Sequence, residues 1–214
     1  YTNEITVNPF ILLLLGLADK KKAEAWFKKA DESGLVAEMG VRSRAKLSKG
    51  YDPSSYHKGG IWPLLNGWAA LAYYKYNKKE KAYGILKKQH KLYWHHVPGL
   101  APEWLHGNKF TVSKINAGPR DVKTEALGAA PTLRYPAWCQ LWSSSLFLQS
   151  VIEGLCGVKP DPLNKKINII PKLPKNINKI ELKKVHVFDK VADIKIERKN
   201  GKIIVDKKIK KCEH

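Results

Sequence analysis

The stretch Leu155-Cys156-Gly157-Val158-Lys159-Pro160-Asp161-Pro162 divides the chain into two rhythms. Beyond it the apolar residues alternate. Ile167 and Ile169 come first, Pro171 and Leu173-Pro174 interrupt, and Ile180, Leu182, Val185 and Val187 resume the pattern. Ile194 and Ile196 follow, and Asn200-Gly201 predicts a tight hairpin turn before Ile203 and Val205. A period of two turns one face of each strand to a core and the other to solvent. Residues 161–214 therefore read as a small antiparallel β appendage.

Residues 1–160 have the longer period of helices. Asn8-Pro9 opens the apolar run Phe10–Leu17, with proline where a first turn tolerates it, and predicts a buried helix. Ala23, Trp26, Phe27 and Ala30 repeat at three and four, and Gly34 offers a stop. Pro63 starts a third helix with Leu64, Leu65, Trp68, Leu71 and Ala72 on one face. Lys79–His95 reads as a fourth. The last runs from Leu141 to Cys156, with Leu141, Ser145, Leu148, Ile152 and Leu155 on one face. The fold expected from this pattern is mainly α, followed by the β unit.

Long segments between these helices hold three aromatic clusters. They are Tyr56-His57-Lys58-Gly59-Gly60-Ile61-Trp62-Pro63, Pro102-Glu103-Trp104-Leu105-His106-Gly107, and Tyr135-Pro136-Ala137-Trp138-Cys139-Gln140-Leu141-Trp142. Segments this long without helix or strand are uncommon in a compact domain unless they carry function. Aromatic rings stack on the apolar faces of sugars, while His, Gln and Glu bond the hydroxyls. The three clusters are expected to line one cleft, with Tyr56, His57, Trp62, Trp104, His106, Trp138, Gln140 and Trp142 binding substrate. Glu103 is the candidate proton-handling group.

The formal net charge of +20 raises the question of nucleic acid. From Lys165 onward sixteen Lys and Arg face six Asp and Glu, and the remaining excess is spread along helices as pairs and triplets such as Lys20-Lys21-Lys22. No zinc-finger spacing, basic zipper or RNA-binding aromatic signature accompanies the charge. A solvated lysine-rich surface is the expectation, with no nucleic-acid partner.

His95-His96 are adjacent and point about 100° apart on a helix, and neither His-Glu-x-x-His nor Cys-x-x-Cys occurs, so no metal is expected. A thiol nucleophile at Cys139 finds no partner in the sequence, and no glycine-rich phosphate loop is present, so no cofactor is expected. Three cysteines without framework spacing suit a reducing, cytoplasmic setting. The Phe10–Ala18 run is shorter than the roughly 20 residues that span a bilayer, so no membrane association is expected.

At these clusters the chain resembles the amylo-α-1,6-glucosidase family, the glucosidase part of glycogen-debranching-type enzymes in the wider glucoamylase-like group. The resembling segments are Gly40-Val41-Arg42-Ser43, Tyr51 through Pro63, Pro102 through Gly107, Arg134 through Ser143 and Ile169 through Pro174. They keep the family's order over nearly the whole length. Trp104 and Leu105 stand where that family has Leu and Phe. The resemblance implies an (α/α)6 toroid barrel and hydrolysis of α-glucosidic bonds with inversion, the general base falling on Glu103. Inversion sets two carboxyls roughly 6.5–9.5 Å apart with a water beneath the sugar. It also implies an α-glucan or oligosaccharide substrate and a general acid upstream of the residues read here. A twelve-helix barrel needs roughly 350 residues or more. Residues 1–160 are therefore expected to form the C-terminal half of such a barrel, completed either by the rest of a longer chain or by a separate upstream polypeptide. The alternative is a non-catalytic carbohydrate-binding or partner-docking half.

Overall fold

Proline at the head of a helix fixes φ where the missing N–H does no harm, and Trp62-Pro63 uses this to launch the central helix of the molecule. The structure, a computed structural model, describes residues 4–95, 99–109, 137 and 139–212. The chain divides into two compact units, Tyr1–Ser150 and Val151–His214.

In the first unit the helices are α1 (Pro9–Leu15), α2 (Lys20–Glu32), α3 (Pro63–Lys75), α4 (Lys79–His95) and α5 (Leu141–Gln149). α3 is buried almost all round, which is why its sequence lacks a polar face. α1, α4 and α5 all pack against it. α2 joins through rings, Phe27 stacking on Tyr73 at 4.6 Å while Phe10 lies 5.5 Å from the same Tyr73. α2 begins where the Asp19 side chain accepts from the Lys22 N–H at 2.8 Å. A short hairpin, β1 (Val36–Ala37) with β2 (Gly40–Val41), turns at Glu38-Met39.

Two helix faces differ from the sequence expectation. α1 buries Phe10 and Leu13 but exposes Leu12 and Leu15, so it is half-buried. α5 leaves Leu141, Ser145 and Leu148 exposed and buries Ser143 and Ser150 instead. Close approach selects small residues there. Ser150 Oγ donates to the Gly67 carbonyl at 3.1 Å, and a Cβ on Gly67 would stand 2.5 Å from that of Leu146. Apolar spacing does not register a contact made of Gly and Ser.

α5 is followed by a π-helical turn, Ser150–Leu155. In the second unit β3 (Val158–Asp161) pairs with β4 (Lys166–Ile169), and β5 (Lys179–Val187), β6 (Lys190–Lys199) and β7 (Lys202–Lys211) form an antiparallel meander. Asn200 and Gly201 adopt φ of 50° and 76°, joining Lys199 to its partner Lys202. The three-residue step from Leu182 to Val185 is a β-bulge, where Lys184 takes φ 55° and donates its N–H to Asp193 Oδ1. Ala192, Ile194 and Ile196 are the buried centre of the meander. Arg198 reaches out to donate to the carbonyls of Leu173 and Pro174, tying down the segment ahead of β5.

The expectation of a mainly α fold, half of an (α/α)6 toroid barrel, does not hold. Helix accounts for 36% and antiparallel strand for 27%, spread over three small sheets. The helices of the first unit gather on one hub helix rather than in concentric rings, and the alternating tail gives two strands of ten residues and one of nine. The class is mixed α and β. Among the described residues no helix is long and apolar enough to cross a membrane.

Candidate functional site

Three backbone ties bring the aromatic clusters of the first unit together. Ile61 and Leu105 form an isolated antiparallel bridge, Ile61 N–H to Leu105 O at 2.9 Å and Leu105 N–H to Ile61 O at 2.7 Å. Glu103 N–H donates to Ala137 O at 2.8 Å, and Gln140 N–H to Ala101 O at 3.0 Å. The loop before α3, the loop carrying Glu103 and the start of α5 thereby meet.

At the meeting point Tyr56 is central. Its ring lies edge-on to His57 at 4.6 Å, to Trp62 at 4.2 Å and to Trp104 at 5.5 Å. Trp62 in turn lies 6.0 Å from Trp142 at the head of α5, and nearly parallel to His57 at 5.8 Å. Trp62 is fixed by its Nε1–H, which donates to the Tyr56 carbonyl at 2.9 Å. The Tyr56 hydroxyl donates to Glu103 Oε1, and the Ala137 N–H donates to Oε2 at 3.2 Å. A carboxylate that accepts from one donor on each oxygen is held in a single orientation.

Of the residues expected at the site, Tyr56, His57, Trp62, Glu103, Trp104 and Trp142 form this connected cluster. Trp104 is fully buried and Trp62 only 7% exposed, so both support the cluster from within, and Trp142 and His57 are its exposed members. His106 faces its own loop, where Nδ1 accepts from the Asn108 N–H at 3.1 Å, and burial holds its pKa below the ordinary histidine value. Gln140 contributes through its backbone, at the N-cap of α5. Trp138 lies outside the described residues.

Sequence reasoning missed the framework beneath the site. Arg42, almost completely buried, donates from Nε to Gly107 O at 3.0 Å, from Nη1 to Gly34 O at 2.6 Å and from Nη2 to Asn108 Oδ1 at 3.0 Å. Tyr51 donates its hydroxyl to the same Asn108 oxygen at 2.8 Å; burial, opposed by the Arg42 charge, raises its pKa and keeps the phenol a donor. No apolar run marks Arg42 as buried, since Glu38, Ser43, Arg44 and Lys46 surround it in sequence, so its three acceptors become visible only in the fold. Packing is closest at the glycines: a Cβ on Gly107 would stand 2.3 Å from Gly59 O, and one on Gly60 would stand 2.8 Å from Trp104.

A pocket of about 310 Å³ adjoins the cluster through His57 and Trp62, with Thr6, Asn8 and Ser43 on its other walls. This is near the lower end of ligand-pocket sizes, roughly 300–1,000 Å³. Ser43 Oγ is itself buried away from solvent, without a hydrogen-bond partner among the described residues. Glu103 does not line this pocket. Cys156 is buried and its thiol pushed up to about 12, while Cys139 is exposed. Among the described residues no group of three or more His, Cys, Asp or Glu side chains converges as a metal site.

Compared with known proteins, the chain matches no family model and no curated protein.

Proposed function

We propose that this chain is the part of an inverting α-glucosidase-type glycoside hydrolase that carries the general base, Glu103. The observation that supports the reading most is a carboxylate oriented by the Tyr56 hydroxyl and the Ala137 N–H, joined through Tyr56 and Trp62 to a set of packed rings that ends at the exposed Trp142. Rings of this kind hold a pyranose by its apolar face, and a fixed carboxylate beside it takes a proton from the attacking water. The resemblance to the amylo-α-1,6-glucosidase family points to glycogen-like or other α-glucosidic oligosaccharides. It also puts the general acid upstream, on a partner polypeptide in this reading. His57 would bond sugar hydroxyls in the adjoining pocket. The three free cysteines fit a reducing, cytoplasmic setting.

One observation favours the second reading, a non-catalytic carbohydrate-binding half. Each Glu103 oxygen already accepts a bond from the chain itself, as a purely structural carboxylate would. Tyr56→Phe separates the two. If the Tyr56 hydroxyl positions a working base, its loss lowers kcat about 10- to 100-fold with KM little changed, the size of effect expected for a hydrogen bond to a charged group. An unchanged kcat in a stably folded Tyr56→Phe protein rejects the positioning role.

A further inference from the structure

A second and larger hollow, about 780 Å³, opens in the first unit on the α4 side. Glu38, Met39, Lys88, His90, Lys91, Trp94 and Asn108 line it, and none of them belongs to the ring cluster around Glu103. Met39, one of its walls, packs against the small core of Ala37, Ile61, Leu92 and Leu105.

Trp94 is its distinguishing feature. The side chain is 65% exposed, an uncommon state for the largest apolar residue. Its only donor is already used: Nε1–H donates to His90 Nε2 at 3.0 Å, one helical turn back on α4. The two rings stand 6.1 Å apart at 60°, so the indole is braced against its neighbour. With its N–H satisfied, Trp94 has only a ring face to offer a ligand.

The polar groups around it are equally constrained. Lys88 donates to the Ala37 carbonyl at 2.6 Å, which pins α4 to the turn bearing Glu38; burial draws its pKa down while the Glu38 charge opposes that. Asn108 Oδ1 accepts from both Arg42 and Tyr51, which leaves the two amide hydrogens as what the residue can present. The groove thus combines one flat apolar face with donors at Asn108, Lys88 and Lys91 and an acceptor at Glu38. An anion would meet the Glu38 carboxylate beside the two lysines, and a purely apolar segment would make no use of the Asn108 amide or the Glu38 carboxylate. A ligand with flat apolar faces and hydroxyls that both donate and accept satisfies the whole set.

We infer that this groove is a second, non-catalytic binding site for a neutral oligosaccharide, which stacks on Trp94 and bonds Asn108, Lys88 and Glu38. It rests on the carbohydrate reading above, since the ligand is of the same class as the proposed substrate. A site of this kind would hold a glucan chain at a distance from the chemistry and raise its local concentration there.

Calorimetric titration of the full chain with maltoheptaose tests it, using wild type, Trp94→Ala, Trp94→Phe and Trp62→Phe, with circular dichroism to confirm that each is folded. Trp94→Ala should weaken binding roughly tenfold or more, as loss of an anchoring tryptophan does, and Trp94→Phe, which keeps a ring face, should restore most of it. Unchanged affinity in Trp94→Ala, with loss in Trp62→Phe, overturns the groove and leaves the proposed function standing. No binding of maltoheptaose by folded wild type overturns both. Preference for heparin over maltoheptaose, abolished by Trp94→Ala, overturns the ligand class assigned to the groove.

Discussion

Glu103→Gln is expected to lower α-glucoside hydrolysis by about 10²- to 10⁴-fold, the usual contribution of a positioned general base. The substitution keeps the shape of the side chain and removes its ability to take a proton. One amide oxygen still accepts from either the Tyr56 hydroxyl or the Ala137 N–H, the two donors that orient the carboxylate. Stability should change little, because Glu103 is part-exposed and lies outside the packed core. Sugar affinity should also change little, because the ring cluster of Tyr56, Trp62 and Trp142 is untouched. The decisive measurement is kcat beside a binding constant for the same oligosaccharide. A protein that loses turnover and keeps binding behaves as the account requires; undiminished turnover removes Glu103 from the chemistry.

Gly107→Ala is expected to be the most damaging single-methyl change near the site. The new Cβ would stand 2.3 Å from Gly59 O and 3.1 Å from the Tyr51 hydroxyl, well inside contact distance of a backbone atom. Neither side can yield cheaply. The Gly107 N–H is bonded to Pro53 O at 2.7 Å, and its carbonyl accepts from the buried Arg42. Overpacking of this kind costs about 3 kcal/mol. For a chain of this length that is a fall in Tm of roughly 6–12 °C. Gly84→Ala is the matched control, because nothing lies within 4 Å of a Cβ there and the residue is inside α4. That change should stabilise by about 0.5–1 kcal/mol through helix propensity. Thermal melts of the two variants side by side decide the matter, and equal melting of Gly107→Ala and wild type would show that the two loops are not in close approach.

The elements that were legible in the sequence are those whose signal is local. The Pro9 and Pro63 helix starts, the Lys79–His95 helix and the Asn200-Gly201 turn each follow from a residue acting on its own neighbourhood. The bulge was not among them: Leu182 and Val185 read as a continuing alternation, and the structure shows that their three-residue step inserts one extra residue. What depended on partners far along the chain was not legible. α5 turns Leu141 and Leu148 outward because Leu146 and Ser150 meet Gly67 of α3 instead, whereas apolar spacing alone assigned the face of Leu141, Ser145 and Leu148 to the core. The barrel expectation failed in the same way. Helical period identifies helices but not whether they line a ring or gather on one hub, as they do on α3.

The candidate site shows the same division. Aromatic and histidine clusters stand out in composition, and Glu103 stands out among them. Their assembly rests on the Ile61–Leu105 bridge and on Arg42 donating to three separate oxygens, contacts over separations of 44, 65, 8 and 66 residues. No local rule reports those. His106 and Gln140 were expected to face substrate by their side-chain chemistry, and the structure gives the first a partner in its own loop and the second a backbone role at the head of α5.

The central claim, that this chain takes part in α-glucoside hydrolysis through Glu103, is tested most directly by glucose release. The substrates are α-1,4-, α-1,6- and α,α-1,1-linked glucosides, assayed with this chain alone and with the polypeptide encoded immediately upstream. Glucose from at least one linkage, appearing when the two polypeptides are combined and lost in Glu103→Gln, is the predicted result. No glucose from any linkage, with both polypeptides folded and combined, would contradict it.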